Sequence, residues 1–503
     1  MKVLLVMLDT LRRDYLEPYG TEWVKTPQIA RLAERSVVCD NHWVGSLPCM
    51  PARREFMTGR HNFLERGWGP LEPFDDVLPN QLRQTTPKKV FSHIITDHYH
   101  YFYLGGEGHN SSFDSWQFER GQENDFWVSR VDLPAVPEAI GRLKTRPQHA
   151  LNRMQQREEH EFSGPRCVEH CVQWLQDNRE SDNWFVQLEL FDPHEPFYVV
   201  PKYLEMYGDT WKGPLYDWPD YGEVKDSPEA IEHITKCYAA LLTMTDHWLG
   251  KVWDTLDQLN GWEDTMVVLT TDHGTMLGEH QYWMKNEMPV YNEIARIPLI
   301  VHLPGSRRAG ARISALTQTT DLMPTLLDYF GAPMPPHVHG SSLKPAFESD
   351  TSVHDSIIYG YFNMALNATD GKHTYFRNPH APDARAYAYT AMPTRFHDFM
   401  SREELAQAQT GRFLSHTYNI PVFKVPVIPS KVNLAGGLPH RYGGYEATDG
   451  TFDPHHELFD SINDPGQQHP LGDAALVAKF EDLMRGHLER VKAPAEQFER
   501  LAL

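Results

Sequence analysis

The sequence predicts an α/β fold: a large, mostly parallel sheet flanked by helices, with a smaller C-terminal α+β subdomain. Three observations carry this. Apolar runs of strand length alternate with longer amphipathic stretches through the first two thirds of the chain. Four of those runs end in polar residues: Asp9, Thr96 with His98, Asp192 with His194, and Asp272 with His273. Ligands of open α/β sheets bind outside the carboxyl ends of the strands, so these residues are expected to converge on one crevice. Finally, 503 residues exceed what one simple core holds.

Residues 3–8 form an apolar run directly after Met1-Lys2, too short to cross a membrane and followed by no small-residue cleavage site. It reads as the first core strand, and a cytoplasmic location is the expectation. Residues 27–35 read as a helix, 37–41 as a short strand, and 52–57 as a helix closed by Gly59. Strands are expected at 90–96, 184–191, 266–271 and 297–303, and helices at 167–175 and 231–256. Thr320 is expected to cap a helix with Pro324 in its first turn. Beyond Gly340 the periodicity loosens. Residues 375–450, rich in Pro, Tyr, His and Gly, read as irregular structure with a few antiparallel strands, interrupted by a helical run at 401–409. Leu476, Phe480, Leu483 and Leu488 make 474–491 an amphipathic helix. The boundary is drawn near 345, between a catalytic domain (1–345) and a C-terminal subdomain (346–503).

With 47 basic against 68 acidic residues the chain carries a net charge of −21, which repels nucleic acid and anionic membranes. An anionic substrate must then be small and drawn into a local basic pocket. Five cysteines are a sparse, odd set that suits a reducing compartment. Cys167, His170 and Cys171 share a helix with Val168, Val172 and Leu175, and read as a buried face.

The chemistry centres on Leu47-Pro48-Cys49-Met50-Pro51-Ala52-Arg53, continuing to Thr58-Gly59-Arg60. Cys49 falls at a helix N-terminus, where free N–H groups favour anions, and Arg53 returns toward it one turn on. Cys-x-Pro-x-Arg followed by Thr-Gly resembles the signature of the sulfatase family, in the alkaline phosphatase superfamily. The resemblance implies an alkaline phosphatase-like fold and oxidation of Cys49 to formylglycine, whose hydrate is the nucleophile.

A second constellation, Thr271-Asp272-His273-Gly274 with Leu277-Gly278-Glu279-His280, Lys285 and Arg296-Ile297-Pro298-Leu299, resembles the family's metal and substrate segment. By that resemblance Asp9, Cys49, Asp272 and His273 hold one divalent metal, and Lys285 contacts sulfate. Many sulfatases have two consecutive aspartates where this chain has Asp9-Thr10, and asparagine where it has His273. Ca²⁺ is the first expectation, and the imidazole admits Mn²⁺ or Zn²⁺. Phosphonate monoester hydrolases, which share the signature, resemble this arrangement.

His194, in Asp192-Pro193-His194-Glu195-Pro196-Phe197, matches a family histidine that faces sulfate. His98 and His100 stand where the family has a lysine and a histidine; in extended backbone the pair would point one way and line the pocket. The implied activity is sulfate monoester hydrolysis on a sulfated sugar or aryl sulfate, with phosphonate monoester or phosphodiester hydrolysis as the alternative. Cys49, Arg53, His194, Lys285 and His100 are the expected catalytic residues, with His98, His194 and Lys285 binding substrate. The 105–130 loop, with Trp116 and Trp127, is expected to help select the alcohol. The expected partners are a small anionic ester and a formylglycine-generating maturation enzyme, and a homo-oligomer is left open.

Overall fold

The computed structural model describes residues 1–132, 138–286, 288–381, 384, 386–427, 445–446 and 452–503, with backbone alone at 445, 446, 452 and 453. The strands that organise it are β1 (Lys2–Leu8), β2 (Val37–Cys39), β3 (Ser46–Leu47), β4 (Phe91–Thr96), β5 (Ser115–Phe118), β6 (Trp184–Leu190), β7 (Thr265–Thr271), β8 (Leu299–His302), β9 (Arg312–Ile313), β10 (Ile357–Tyr361), β11 (Leu366–Thr369), β12 (His373–Arg377) and β13 (Glu457–Asp460). Eight of them form one sheet in the order β9-β2-β8-β7-β1-β6-β4-β5, in which only β8 runs against its neighbours. The expected, mostly parallel α/β sheet is therefore present.

β1 lies at its centre because Val3-Leu4-Leu5-Val6-Met7-Leu8 is apolar on both faces. Alternate residues feed two cores: Leu4, Val6 and Leu8 on one side, Val3, Leu5 and Met7 on the other. Each such side chain contributes roughly 1.5–3 kcal/mol on burial. The register pairs Leu8 with Leu190 of β6 and with Thr271 of β7. Asp9 and Asp272 therefore emerge side by side.

The helices that matter are α1 (Pro27–Glu34), α2 (Cys49–Thr58), α3 (Ser163–Asp177), α4 (Pro228–Gln258), α5 (Leu322–Phe330) and α6 (Ala474–Arg490). α3 carries Cys167 and Cys171, both fully buried free thiols. α5 departs from expectation. Thr320 lies in a short 3-10 turn, Thr319–Asp321, that runs into α5; Gln318 and Asp321 cap that turn, the Asp321 carboxylate accepting from the Gln318 N–H at 2.8 Å, and α5 itself has no side-chain cap. β5, at the sheet edge, falls in a stretch whose mixed composition gives no periodic signal. Among the described residues no helix is long and apolar enough to cross a membrane.

A second sheet, β13-β12-β11-β10-β3, is antiparallel except where β10 pairs parallel with β3. α6 covers it, with Phe480, Met484 and Leu488 packed on Ile358, Leu366 and Tyr375. Asp473 caps α6, accepting from the N–H groups of Ala475 and Leu476 at 3.0 Å. The three-stranded sheet of Tyr387–Thr390, Gln409–Gly411 and Val422–Pro426 supplies the expected strands within the irregular stretch. Much of that stretch, from 428 on, lies outside the described residues.

β3 belongs to the C-terminal sheet, and α2 follows it directly. α2 starts at Cys49, earlier than expected, and ends at Gly59 in the left-handed region (φ 62°), whose N–H donates to the Glu55 carbonyl at 2.7 Å. All ten of its residues are buried, including Arg53, Arg54 and Glu55. Their charges are satisfied locally: Glu55 accepts from Ser46 N and Oγ, and Arg54 donates to the carbonyls of Gly67 (2.8 Å) and Gly69 (3.1 Å).

Candidate active site

At the carboxyl end of β1, β7 and the N-terminus of α2, ligand atoms of Asp9, Cys49, Asp272 and His273 lie within 4.8 Å of one another. His273 Nδ1–H donates to the Gly274 carbonyl at 2.8 Å, which leaves Nε2 with its lone pair turned inward, 3.1 Å from Cys49 Sγ. Gly274 is required here: a Cβ would meet the Glu293 carbonyl oxygen at 1.9 Å. Arg53 spans three carboxylates, with Nε donating to Glu189 Oε1 at 2.7 Å, Nη1 to Asp272 Oδ2 at 2.6 Å and Nη2 lying 2.8 Å from Asp9 Oδ2. Glu189 is held in turn by Tyr101 OH (2.9 Å) and Gln187 Nε2 (2.8 Å).

Thr10, noted in the sequence only as a departure, has a structural part. Its φ of 63° is unusual for a β-branched residue. Its N–H donates to Asp272 Oδ1 (3.0 Å), its hydroxyl donates to Asp9 Oδ1 (2.6 Å), and Lys285 Nζ donates to that hydroxyl (2.9 Å). Lys285 itself is flanked by Met284 and Asn286, both at positive φ, and also reaches Glu195 Oε2 at 3.3 Å.

The electrostatics follow from burial and pairing. Burial would raise the Asp9 carboxyl, but Arg53, His194 and Lys285 overcome it and hold it well below the usual carboxylate range. Burial, then Asp9, push the Cys49 thiol well above its usual range, so the encoded cysteine stays protonated. Burial would lower Lys285, yet Glu195 and neighbouring acids raise it.

A cavity of about 590 Å³ opens above this floor, with Cys49, His100, His194 and Lys285 on its wall. Glu123, unremarked in the sequence, bridges the two histidines, 3.6 Å from His100 Nε2 and 3.6 Å from His194 Nδ1. His98 packs edge-on against His100, ring centroids 4.9 Å apart, but is absent from the cavity wall. The backbone turns into a 3-10 helix after His98, so the extended geometry expected for the pair is absent. His98 is wholly buried beneath the floor, its Nδ1 3.8 Å from Asp9 Oδ2 and its ring stacked on Phe191. The 105–130 loop reaches the cavity through Glu123, Asn124 and Phe126, whereas Trp116 and Trp127 are absent from the wall. Asp192 also turns away. Gln122 Nε2 bridges it to Asp97, at 3.0 and 2.9 Å.

The residues fit a divalent cation. Asp9 Oδ2 is buried and, despite its ion pair, accepts no hydrogen bond of good geometry. Two carboxylates, an inward imidazole nitrogen and position 49 converge on one point.

Fold and site together define an ester hydrolase of the alkaline phosphatase superfamily. Within it the chain belongs to the sulfatase family, whose model, described as Sulfatase, matches residues 2–332, and it is a sulfuric ester hydrolase. It is 26% identical over 408 residues to the multifunctional alkaline phosphatase superfamily protein PehA of Trinickia caryophylli, covering 68% of this chain and 76% of that protein. It is 22% identical over 400 residues to an arylsulfatase of Clostridium perfringens (71% and 80% covered). Among solved structures, the phosphonate monoester hydrolase of Agrobacterium radiobacter superposes with a TM-score of 0.63 at 17% identity, covering 98% of this chain and 95% of that one. BT4656, in complex with its substrate D-glucosamine-2-N,6-O-disulfate, gives 0.64 at 15% identity, with 98% and 97% covered.

Proposed function

We propose that this chain hydrolyses sulfate monoesters of a sugar or an aryl alcohol, with a formylglycine hydrate made from Cys49 as nucleophile and one divalent metal. The observation that carries the reading is the convergence of position 49 with Asp9, Asp272 and His273 within 4.8 Å at the mouth of a helix N-terminus. When bound, the metal supplies Lewis acidity toward a sulfuryl oxygen and a hydroxyl at position 49. The inward imidazole of His273 supports Mn²⁺ or Zn²⁺ beside Ca²⁺. A hydrate supplies two hydroxyls on one carbon, one to attack sulfur and one to expel sulfate afterwards.

The chain's own side chains do the rest. Lys285 Nζ and His194 neutralise and orient the sulfuryl oxygens from the cavity wall. Arg53 holds Asp9 and Asp272 in place from below. His100, tied to Glu123, moves the proton of the leaving alcohol and of the hydrate.

A second reading, phosphonate monoester or phosphodiester hydrolysis, is favoured by one observation. Thr10 supplies no second carboxylate, and Lys285 docks on its hydroxyl instead. The decisive experiment compares 4-nitrophenyl sulfate with 4-nitrophenyl phenylphosphonate, using protein produced with a formylglycine-generating enzyme. A kcat/KM ratio favouring sulfate supports the first reading and the reverse ratio the second. Turnover that survives Cys49→Ala overturns both. Chelation of the metal is expected to abolish turnover, with recovery on adding Mn²⁺, Zn²⁺ or Ca²⁺ identifying the ion.

A further inference from the structure

The cavity wall carries two guanidinium groups that the reaction chemistry does not use. Arg142 and Arg146 both line it, Arg142 within the 3-10 turn Gly141–Thr145 and Arg146 directly after it. Among the described residues neither has a carboxylate partner, although the chain as a whole carries −21. The acids nearest the reacting centre are already engaged. Glu123 is held by His100, His194 and Tyr99, and Glu195 by Lys285 and Tyr221.

Arg142 is positioned by aromatic rings. The Arg142 guanidinium lies 4.5 Å over the Tyr221 ring and 5.7 Å from that of Trp218. The Tyr221 hydroxyl donates to Glu195, whose other oxygen meets Lys285. Arg142 is thus separated from the sulfate-binding lysine by one phenol ring and one carboxylate. Arg146 stands close enough to Tyr103 and His397 for its charge to act on both. Between the arginines and the floor the wall is aromatic, from Trp68, Tyr103, Phe126 and Phe396. Phe126 remains 71% exposed, as a surface that a ring of substrate would cover.

We propose that Arg142 and Arg146 form a second anion subsite at the cavity mouth. The preferred alcohol then carries its own anionic group, a carboxylate or a second sulfate, on the side of its ring away from the ester sulfate. Planar guanidinium forks match carboxylate and sulfate oxygens in pairs, and the aromatic wall holds the intervening ring. This deepens the sulfate ester reading and rests on it for the identity of the first anion.

The test separates the two. Benzenesulfonate and 4-sulfobenzoate present a sulfonate that cannot be hydrolysed, without and with a second anion across the ring. Calorimetric affinities for both are measured at physiological salt. The wild-type protein is expected to bind the dianion about tenfold more tightly, the worth of one charge-assisted pair. In R142Q/R146Q the ratio is expected to fall to about one, while R142K/R146K, which keeps the charge, retains a preference. A wild-type ratio near one, a ratio unaltered in the glutamine variant, or failure of both probes to bind at millimolar concentration overturns the subsite. Turnover of 4-nitrophenyl sulfate by the formylglycine-bearing protein is read separately. No turnover with an intact affinity ratio sinks the hydrolysis reading alone, and turnover with a ratio near one sinks the subsite alone.

Discussion

Arg53 is the residue on which the site closes. A guanidinium that touches three buried carboxylates compensates them at short range, and Glu189 fixes its direction through Nε. Glu189 reaches no substrate, so it acts as a positioning residue. Glu189→Gln is expected to lower kcat by about 10–100-fold with little change in KM, the size of effect seen for outer-shell partners; an equal rise in KM would contradict this. At position 49 itself, Cys49→Ser supplies one hydroxyl where the proposed hydrate supplies two. Its expected behaviour is a single turnover that leaves the protein about 80 Da heavier by intact mass, the mark of a trapped sulfate ester. Asp9, Asp272 and His273 were legible from sequence because each directly follows a buried apolar run that sets its height in the sheet. Thr10 was legible only as a departure from pattern. Its role depends on a left-handed backbone that no side-chain pattern announces.

At the scale of elements, the central strands and long helices were readable because period and burial agree in them. β1, β6, β7 and α4 match expectation to within a few residues, as apolar runs shielded on both faces must. The outer part of the cavity wall was not readable. Glu123, Arg142, Phe396 and His397 come from segments far apart in the chain with no periodic pattern, and they meet only through the tertiary fold. His98 departed from expectation, while His100 reached the wall, for a local reason: a 3-10 turn replaced the extended backbone that would have pointed both rings one way. α6 offers an element-scale test. Asp473→Ala removes two cap hydrogen bonds, and is expected to cost about 1 kcal/mol in urea unfolding without altering turnover.

For the molecule as a whole, two features set when and where it is stable. Asp97 and Asp192 are fully buried and share Gln122. Burial pushes Asp97 up to about 6; burial and the Asp97 charge push Asp192 up to about 7, as one linked pair. The folded chain therefore holds protons that the unfolded chain releases from about pH 4 upward, and the stability this pair contributes is lost as pH rises toward 7. Asp192→Asn is expected to flatten the fall in urea midpoint between pH 5 and pH 8, by an amount on the order of 2 kcal/mol; an unchanged pH slope would refute the pairing. The other feature is the seam where β3 leaves the C-terminal sheet and becomes α2. Every residue from 42 to 66 is buried, and among the described residues β3 pairs with β10 alone, some three hundred residues later in the chain. The segment that the proposed maturation enzyme would grip is thus hidden once Tyr361 has been made and docked. On the proposed function, oxidation of Cys49 has to win a race against folding, on a ribosome-bound or newly released chain. Folded thiol protein mixed with the maturation enzyme should keep its mass, while a peptide of residues 42–66 should lose about 18 Da. On that proposal the yield of active enzyme is set by the clock of synthesis, before any substrate is met.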